Sequence, residues 1–179
     1  MTLEVDDAGV GDLLFGVVIG AHRRETGEFK YEVIPVSYFQ EPMFKKKLYL
    51  KKATELTNHL LEEMELGENE TVEICSSFLF DETRKDLWDK YGEDRVKVAK
   101  IVGLAQDKVE LAYLDEIRNL GYEPIAERLD KHARSFFHML SWVKRDPPTR
   151  LQYAKTGWPR LRRYIHLPGQ SRRPVRTKR

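Results

Sequence analysis

The stretch "VDDAGVGDLLFGVVIGA" (Val5–Ala21) places two adjacent carboxylates and two glycines directly before an apolar run, and its reading decides the fold. Residues 3–5 begin a strand, Gly9 and Gly11 supply a turn, and "LLFGVVIGA" is a second strand, apolar enough to be buried on at least one face. "HRRETGE" (22–28) is a polar hairpin turn. "FKYEVIPVSYF" (29–39) follows as a third strand, with a phase change near Pro35. Three antiparallel strands in succession make a meander.

Beyond the meander the period changes. Phe44, Leu48, Ala53, Leu56, Leu60, Leu61 and Met64 follow helical spacing up to Gly67 and predict a long first helix. "TVEICSSFLF" (71–80) is a strand with a continuous apolar end. "DETRKDLWDKYG" (81–92) opens on an aspartate suited to an N-cap and stops at a glycine, the pattern of a short helix. "RVKVAKIVG" (95–103) alternates as a strand. The helix predicted over 104–121 sets Leu104, Leu111, Leu114 and Ile117 on one face before Gly121. The order β-β-β-α-β-α-β-α, closed by two right-handed crossovers, gives an α/β fold: a five-stranded mixed sheet, three strands antiparallel and two parallel, flanked by helices. A further helix is expected over 124–143, with "RDPPTR" breaking it and a disordered tail at its end. The expected organisation is a domain over 1–122, a helical basic extension over 123–168, and a basic tail over 169–179.

The 179 residues suffice for one main domain with a real core. No stretch approaches twenty consecutive apolar residues and no signal peptide is readable, so a cytoplasmic protein without a membrane partner is expected. The single cysteine, Cys75, excludes an intrachain disulfide and any zinc site built mainly from thiolates, and it is expected as a small core residue. The net charge of +2 conceals a division. Residues 1–130 hold 17 basic and 28 acidic side chains, whereas 131–179 hold 14 basic and one acidic, a balance of −11 against +13. An acidic body with a basic tail points to a polyanionic partner, to docking of tail on body, or to a solvated tail.

With an acid on its first strand, this order of elements resembles the ribonuclease H-like superfamily of nucleases, resolvases and transposases, over roughly residues 1–120. The most specific local likeness is "DDAGVG" (6–11), similar to the D-E-A-G-R-G motif of type II ribonuclease H: Asp6, Ala8, Gly9 and Gly11 coincide, Asp7 replaces Glu, and Val10 replaces Arg. The resemblance implies a divalent-metal-dependent nuclease acting on structured or hybrid nucleic acid. In that family the first-strand acid meets acids from the fourth strand and the last helix, and together they hold two Mg²⁺ or Mn²⁺ ions. Hydrolysis of a phosphodiester needs an activated water and stabilised charge on the attacking and leaving oxygens, which hard cations on converging carboxylates supply.

Carried onto this chain, the resemblance makes Asp6 the bridging ligand. Asp107 and Glu110 share a helix face, like the paired acids that open the last helix of resolvase-type members, and are the expected last-helix ligands. Asp7 and Asp81 are further catalytic candidates. Because neighbouring strand residues point to opposite faces, only one of Asp6 and Asp7 reaches the site unless the glycine turn rotates the other. The fourth strand departs from the pattern, with Ser76 and Ser77 where an acid would stand and Asp81 several residues later. Val10 in place of Arg means that recognition of an RNA–DNA junction is not implied.

The tail interleaves Tyr153, Trp158 and Tyr164 with Arg160, Arg162 and Arg163, a mixture that contacts phosphates and stacks on unpaired bases. Trp158, Arg160, Arg162 and Arg163 are the candidate nucleic-acid contacts. The competing arrangement docks Trp158 and Leu161 on the domain and leaves the arginines in water. Two alternatives to a nuclease stay open: a non-catalytic nucleic-acid-binding protein of the same fold, and a protein-interaction subunit that uses the basic tail. No G-x-x-x-x-G-K-[ST] loop is present, the five histidines are scattered, and nothing in the sequence reports oligomeric state.

Overall fold

Alternating and β-branched residues around the glycine turn build the centre of the sheet. In the computed structural model, which describes residues 1–125 and 132–165, strand β1 (Thr2–Ala8) pairs antiparallel with β2 (Val17–Arg23), and β2 with β3 (Phe29–Ile34). β4 (Thr71–Cys75) and β5 (Val96–Ala99) add on in parallel, with Val5 opposite Ile74 and Val72 opposite Val96. The strand order is β3-β2-β1-β4-β5, a five-stranded mixed sheet. Such a sheet with helices is compatible with a ribonuclease H-like fold.

β1 and β2 lie inside the sheet and are covered on both faces, so nearly every residue from Val17 to His22 is buried. On one face Leu3, Val5, Val72 and Ile74 pack under α1 (Leu48–Glu63) and α2 (Asp81–Tyr91). On the other, Ala8 and Val18 pack under α3 (Leu104–Asn119) and α4 (His132–Arg145). A short turn of helix, α5 (Pro147–Arg150), follows. The expected basic tail at 169–179, and residues 126–131 of the helix expected over 124–143, fall outside the described residues. Among the described residues no helix is long and apolar enough to cross a membrane.

Four local expectations are corrected. β3 stops at Ile34, and Val36–Phe39 forms a 3-10 turn, because Pro35 has no N–H for the ladder. α1 starts at Leu48, later than Phe44, since Lys47 takes a left-handed conformation (φ 54°). Asp81 is the first residue of α2 and does not cap it; no side chain caps that helix. On α3 the buried stripe is Ala105, Val109, Ala112, Tyr113 and Ile117, whereas Leu104 and Leu111 are 68% and 55% exposed. The small residues Ala105 and Ala112 let the helix approach the sheet closely: a methyl on Gly20 would strike Val109.

Candidate metal centre

The centre sits at the carboxyl ends of β1 and β4, where parallel strands open onto loops. Past the Val5–Ile74 pair, Asp6 comes level with Cys75. Alternation sends Leu3, Val5 and Asp7 towards α1, and Glu4, Asp6 and Ala8 towards α3. The strand then ends at Gly9, whose positive φ of 91° turns the chain and whose missing side chain leaves room for the Tyr113 ring. At this end both carboxylates converge. Oxygens of Asp6 and Asp7 and the sulfur of Cys75 all lie within 4.8 Å of one another. The expectation that only one of the adjacent acids reaches the site is therefore corrected.

The "CSS" segment supplies hydrogen-bond donors where the family pattern has an acid. The Cys75 thiol donates to Asp7 Oδ1 at 3.5 Å, the Ser77 hydroxyl bonds Asp7, and the Ser77 amide donates to Cys75 Sγ at 3.4 Å. Cys75 is half-buried, packed against the α1-side core with its sulfur turned to the acids. Burial raises the Asp7 pKa to about 6, with the neighbouring Asp6 charge adding to it; Ser77, Cys75 and Lys155 pull the other way. Asp6 is also shifted upward, chiefly by burial, with the charge of Glu110 contributing. Burial and the Asp7 charge push the Cys75 thiol up, so it stays protonated and serves as a donor.

Glu110, half-buried on α3 beside the inward-facing Val109 and Tyr113, acts electrostatically on Asp6 across the sheet face. Asp107 is exposed on the first turn of α3 and is not in the cluster. Asp81 is exposed and ion-paired with Arg84, away from Asp6. Arg84 also donates to the carbonyl oxygens of Cys75 and Ser77 at 3.0 Å each, so Asp81 steadies the end of β4 through an intermediary. A second grouping, Glu32, His59 and Glu63, lies on the surface, where Glu32 Oε1 and His59 Nδ1 are 3.0 Å apart.

Lys155 is the residue that sequence reasoning missed. The segment after α5 runs back along the β1–β2 loop: Phe15 N donates to Tyr153 O at 2.7 Å, Leu14 bridges Ala154, and Lys155 N donates to Leu13 O at 2.9 Å. This lays the Lys155 side chain, fully buried, at the Gly9 turn. Its Nζ donates to Gly9 O and lies 5.0 Å from the ring centre of Phe39 and 5.7 Å from that of Trp158, and its charge acts on Asp7. Gly157 is the one available clue, because a side chain there would strike Phe44.

Of the expected nucleic-acid contacts, Trp158 is half-buried over Lys155, Leu161 is docked in the α3-side core, and Arg163 is exposed; the side chains of Arg160 and Arg162 lie outside the described ones. An aromatic cluster also went unread: Phe136, Phe137 and Tyr164 meet edge to face with centroids 5.4–5.9 Å apart, and Phe137 and Tyr164 are 51% and 40% exposed. No known family model matches the chain, and no curated protein matches it.

Proposed function

We propose that the chain is a ribonuclease H-like, divalent-metal-dependent nuclease acting on structured or hybrid nucleic acid. The observation that carries this reading is the convergence of the Asp6 and Asp7 carboxylates at the end of the central strand, with the charge of Glu110 on α3 acting on Asp6. The donor set fits the group: carboxylate oxygens suit hard cations such as Mg²⁺ and Mn²⁺, and two carboxyls held in mutual repulsion and partial burial are relieved by a cation. Asp6 and Asp7 would hold it, with Glu110 completing the acidic wall. When bound, such an ion supplies Lewis-acid polarisation of a phosphodiester and a water of lowered pKa.

The protein's own contributions are positional. Cys75 and Ser77 orient the Asp7 carboxylate, Arg84 holds the backbone that carries both donors, and Gly9 allows the turn that sets the two acids together.

A second reading, a nucleic-acid-binding protein without catalysis, is favoured by the exposed Phe137–Tyr164 platform beside Arg163. Cleavage assays separate the two. Duplex, hybrid and branched substrates incubated with Mn²⁺ or Mg²⁺ are expected to be cut by the wild type and not by Asp6→Asn, and Glu110→Gln should lose at least tenfold in rate while Asp107→Asn stays near wild type. Binding without cleavage under every metal condition would refute the nuclease and leave the second reading.

A further inference from the structure

We propose that Glu32, His59 and Glu63 form a second metal site, which takes a zinc ion and pins the edge strand β3 to helix α1. The proposal is independent of the nuclease reading. Alternation along β3 turns Glu32 to the same side as Ile34, which is buried in the α1-side core. On α1, His59 and Glu63 stand one turn apart, four residues along the helix, and share a face. Where strand and helix meet, an imidazole nitrogen and two carboxylate oxygens come within 4.8 Å of one another. His59 Nδ1 and Glu32 Oε1 are 3.0 Å apart. Two donors at about 2.05 Å from a tetrahedral zinc ion lie about 3.4 Å from each other, so small rotations of these side chains close the set on an ion. Carboxylates alone suit Mg²⁺ or Ca²⁺; the imidazole turns the preference towards zinc.

A plain surface ion pair would need only Glu32 and His59. Here a second carboxylate is brought to the same imidazole, and the neighbouring lysines are engaged elsewhere. Lys30 Nζ donates to the backbone oxygen of Glu63 at 2.8 Å and lies 3.9 Å from its carboxylate, beyond hydrogen-bond reach. Lys52 is held by Glu55 at 2.6 Å, and Lys90 by Asp86 at 2.8 Å and Asn58 Oδ1 at 2.9 Å. The two elements that carry the donors are anchored by the core: Leu56 and Leu60 of α1 and Ile34 of β3 are buried together. An open cleft of about 550 Å³, lined by Glu32, His59, Asn58 and Glu62 among others, adjoins the three side chains. It gives water access to the coordination position that three protein donors leave over, as a fourth ligand on zinc requires. Joining a strand at the sheet edge to the helix above it, the ion would act as a cross-link at the margin of the core.

The test is titration of the full chain, free of any histidine tag, with Zn²⁺ at neutral pH against a chromophoric chelator. Asp6→Asn combined with Asp7→Asn removes the acidic site from the count. In that background a zinc ion is expected to bind still, and adding His59→Gln or Glu63→Gln should weaken it at least tenfold. Both substitutions fall on exposed side chains, so the fold survives them. Melting curves give a second readout: Zn²⁺ should raise the melting temperature of the chain carrying His59 and Glu63, and the rise should vanish in either variant. Glu63→Gln decides between a metal ligand and an ion-pair partner, because it leaves the Glu32–His59 pair in place. Zinc affinity unchanged by His59→Gln or by Glu63→Gln would overturn the proposal. So would the absence of any zinc binding once Asp6 and Asp7 are replaced, an outcome that leaves the nuclease reading untouched.

Discussion

Replacing Asp7 by asparagine tests the electrostatics of the site without any substrate. The Asp7 pKa is raised from 3.8 to about 6, first by burial and then by the charge of Asp6. A raised carboxyl pKa means that the folded protein holds the proton more tightly than the unfolded chain. Between pH 4 and pH 6 the folded state therefore carries more bound protons, and stability falls as pH rises. The contribution is fully present below pH 3.8 and gone above the folded value. Each tenfold difference in proton affinity between the folded and unfolded states is worth about 1.4 kcal/mol, so the loss across this window, trimmed for the partial exposure of the side chain, is about 2 to 3 kcal/mol. Asp6 shifts in the same direction, so the pair titrates together and the slope belongs to both acids. Asp7→Asn removes one of the two protons. Urea denaturation in the presence of a chelator, at half-unit steps from pH 4 to pH 8, should show wild-type stability declining against the variant by that amount and levelling above pH 7. The constant offset between the curves contains the altered hydrogen bonds to Cys75 and Ser77; the difference in slope does not. Parallel curves for the two proteins across the whole range would refute the reasoning.

Glu70 offers the opposite sign. It is buried and ion-paired with Arg23 Nε at 2.8 Å, and although burial works against it, the Arg23 bond and the Gly67 amide bring its pKa below the ordinary 4.5. Its stabilisation is full above that value and lost as pH falls, so Glu70→Gln should cost about 2 to 3 kcal/mol at pH 7, with the gap closing below pH 4 in chemical denaturation. At Gly16 an added methyl would overlap the Ile34 carbonyl oxygen, a backbone atom that cannot swing away; Gly16→Ala should destabilise by about 3 kcal/mol and lower the melting temperature by about 6 to 12 °C. Phe137→Ala combined with Tyr164→Ala should weaken binding of a single-stranded oligonucleotide by about tenfold or more, as loss of a stacking platform requires, and a fluorescence-anisotropy titration showing equal affinity would dismiss that surface.

The sheet was legible because its signals are local. Gly9 and Gly11 before an apolar run, alternation in 95–99 and helical spacing in 53–64 each state their own period, and the β-β-β-α-β-α-β-α order then leaves few topologies. Errors fell where a neighbour outweighed the local pattern. Leu104 and Leu111 are large apolar side chains, yet packing density selected the stripe of Ala105, Val109, Ala112 and Tyr113, which lets α3 sit close to β1 and β2. Glu110, half-buried beside Val109 and Tyr113, still acts on Asp6.

The site was half legible for a different reason. Asp6 and Asp7 announce themselves as carboxylates next to a glycine turn, whereas the other half is made of residues that look structural one at a time. Cys75 reads as core, Ser77 as a turn residue, and Lys155 as one more basic residue in a tail holding fourteen. Only the parallel pairing of β1 with β4 sets Cys75 beside the acids, and only the return of the chain along the β1–β2 loop, 146 residues after Gly9, brings Lys155 to the Gly9 turn that follows them. The same return changes the meaning of the charge division. Docking of tail on body and attraction of a polyanion need not exclude each other, because they use different residues. Lys155 is spent inside, against Gly9 and Asp7, and Arg150 lies over Trp142 at 4.3 Å while donating to its carbonyl. Arg163 stays exposed next to Tyr164. The basic extension thus divides its charge: Lys155 is buried at the Gly9 turn, where its charge acts on Asp7, and Lys144, Arg145 and Arg163 remain exposed.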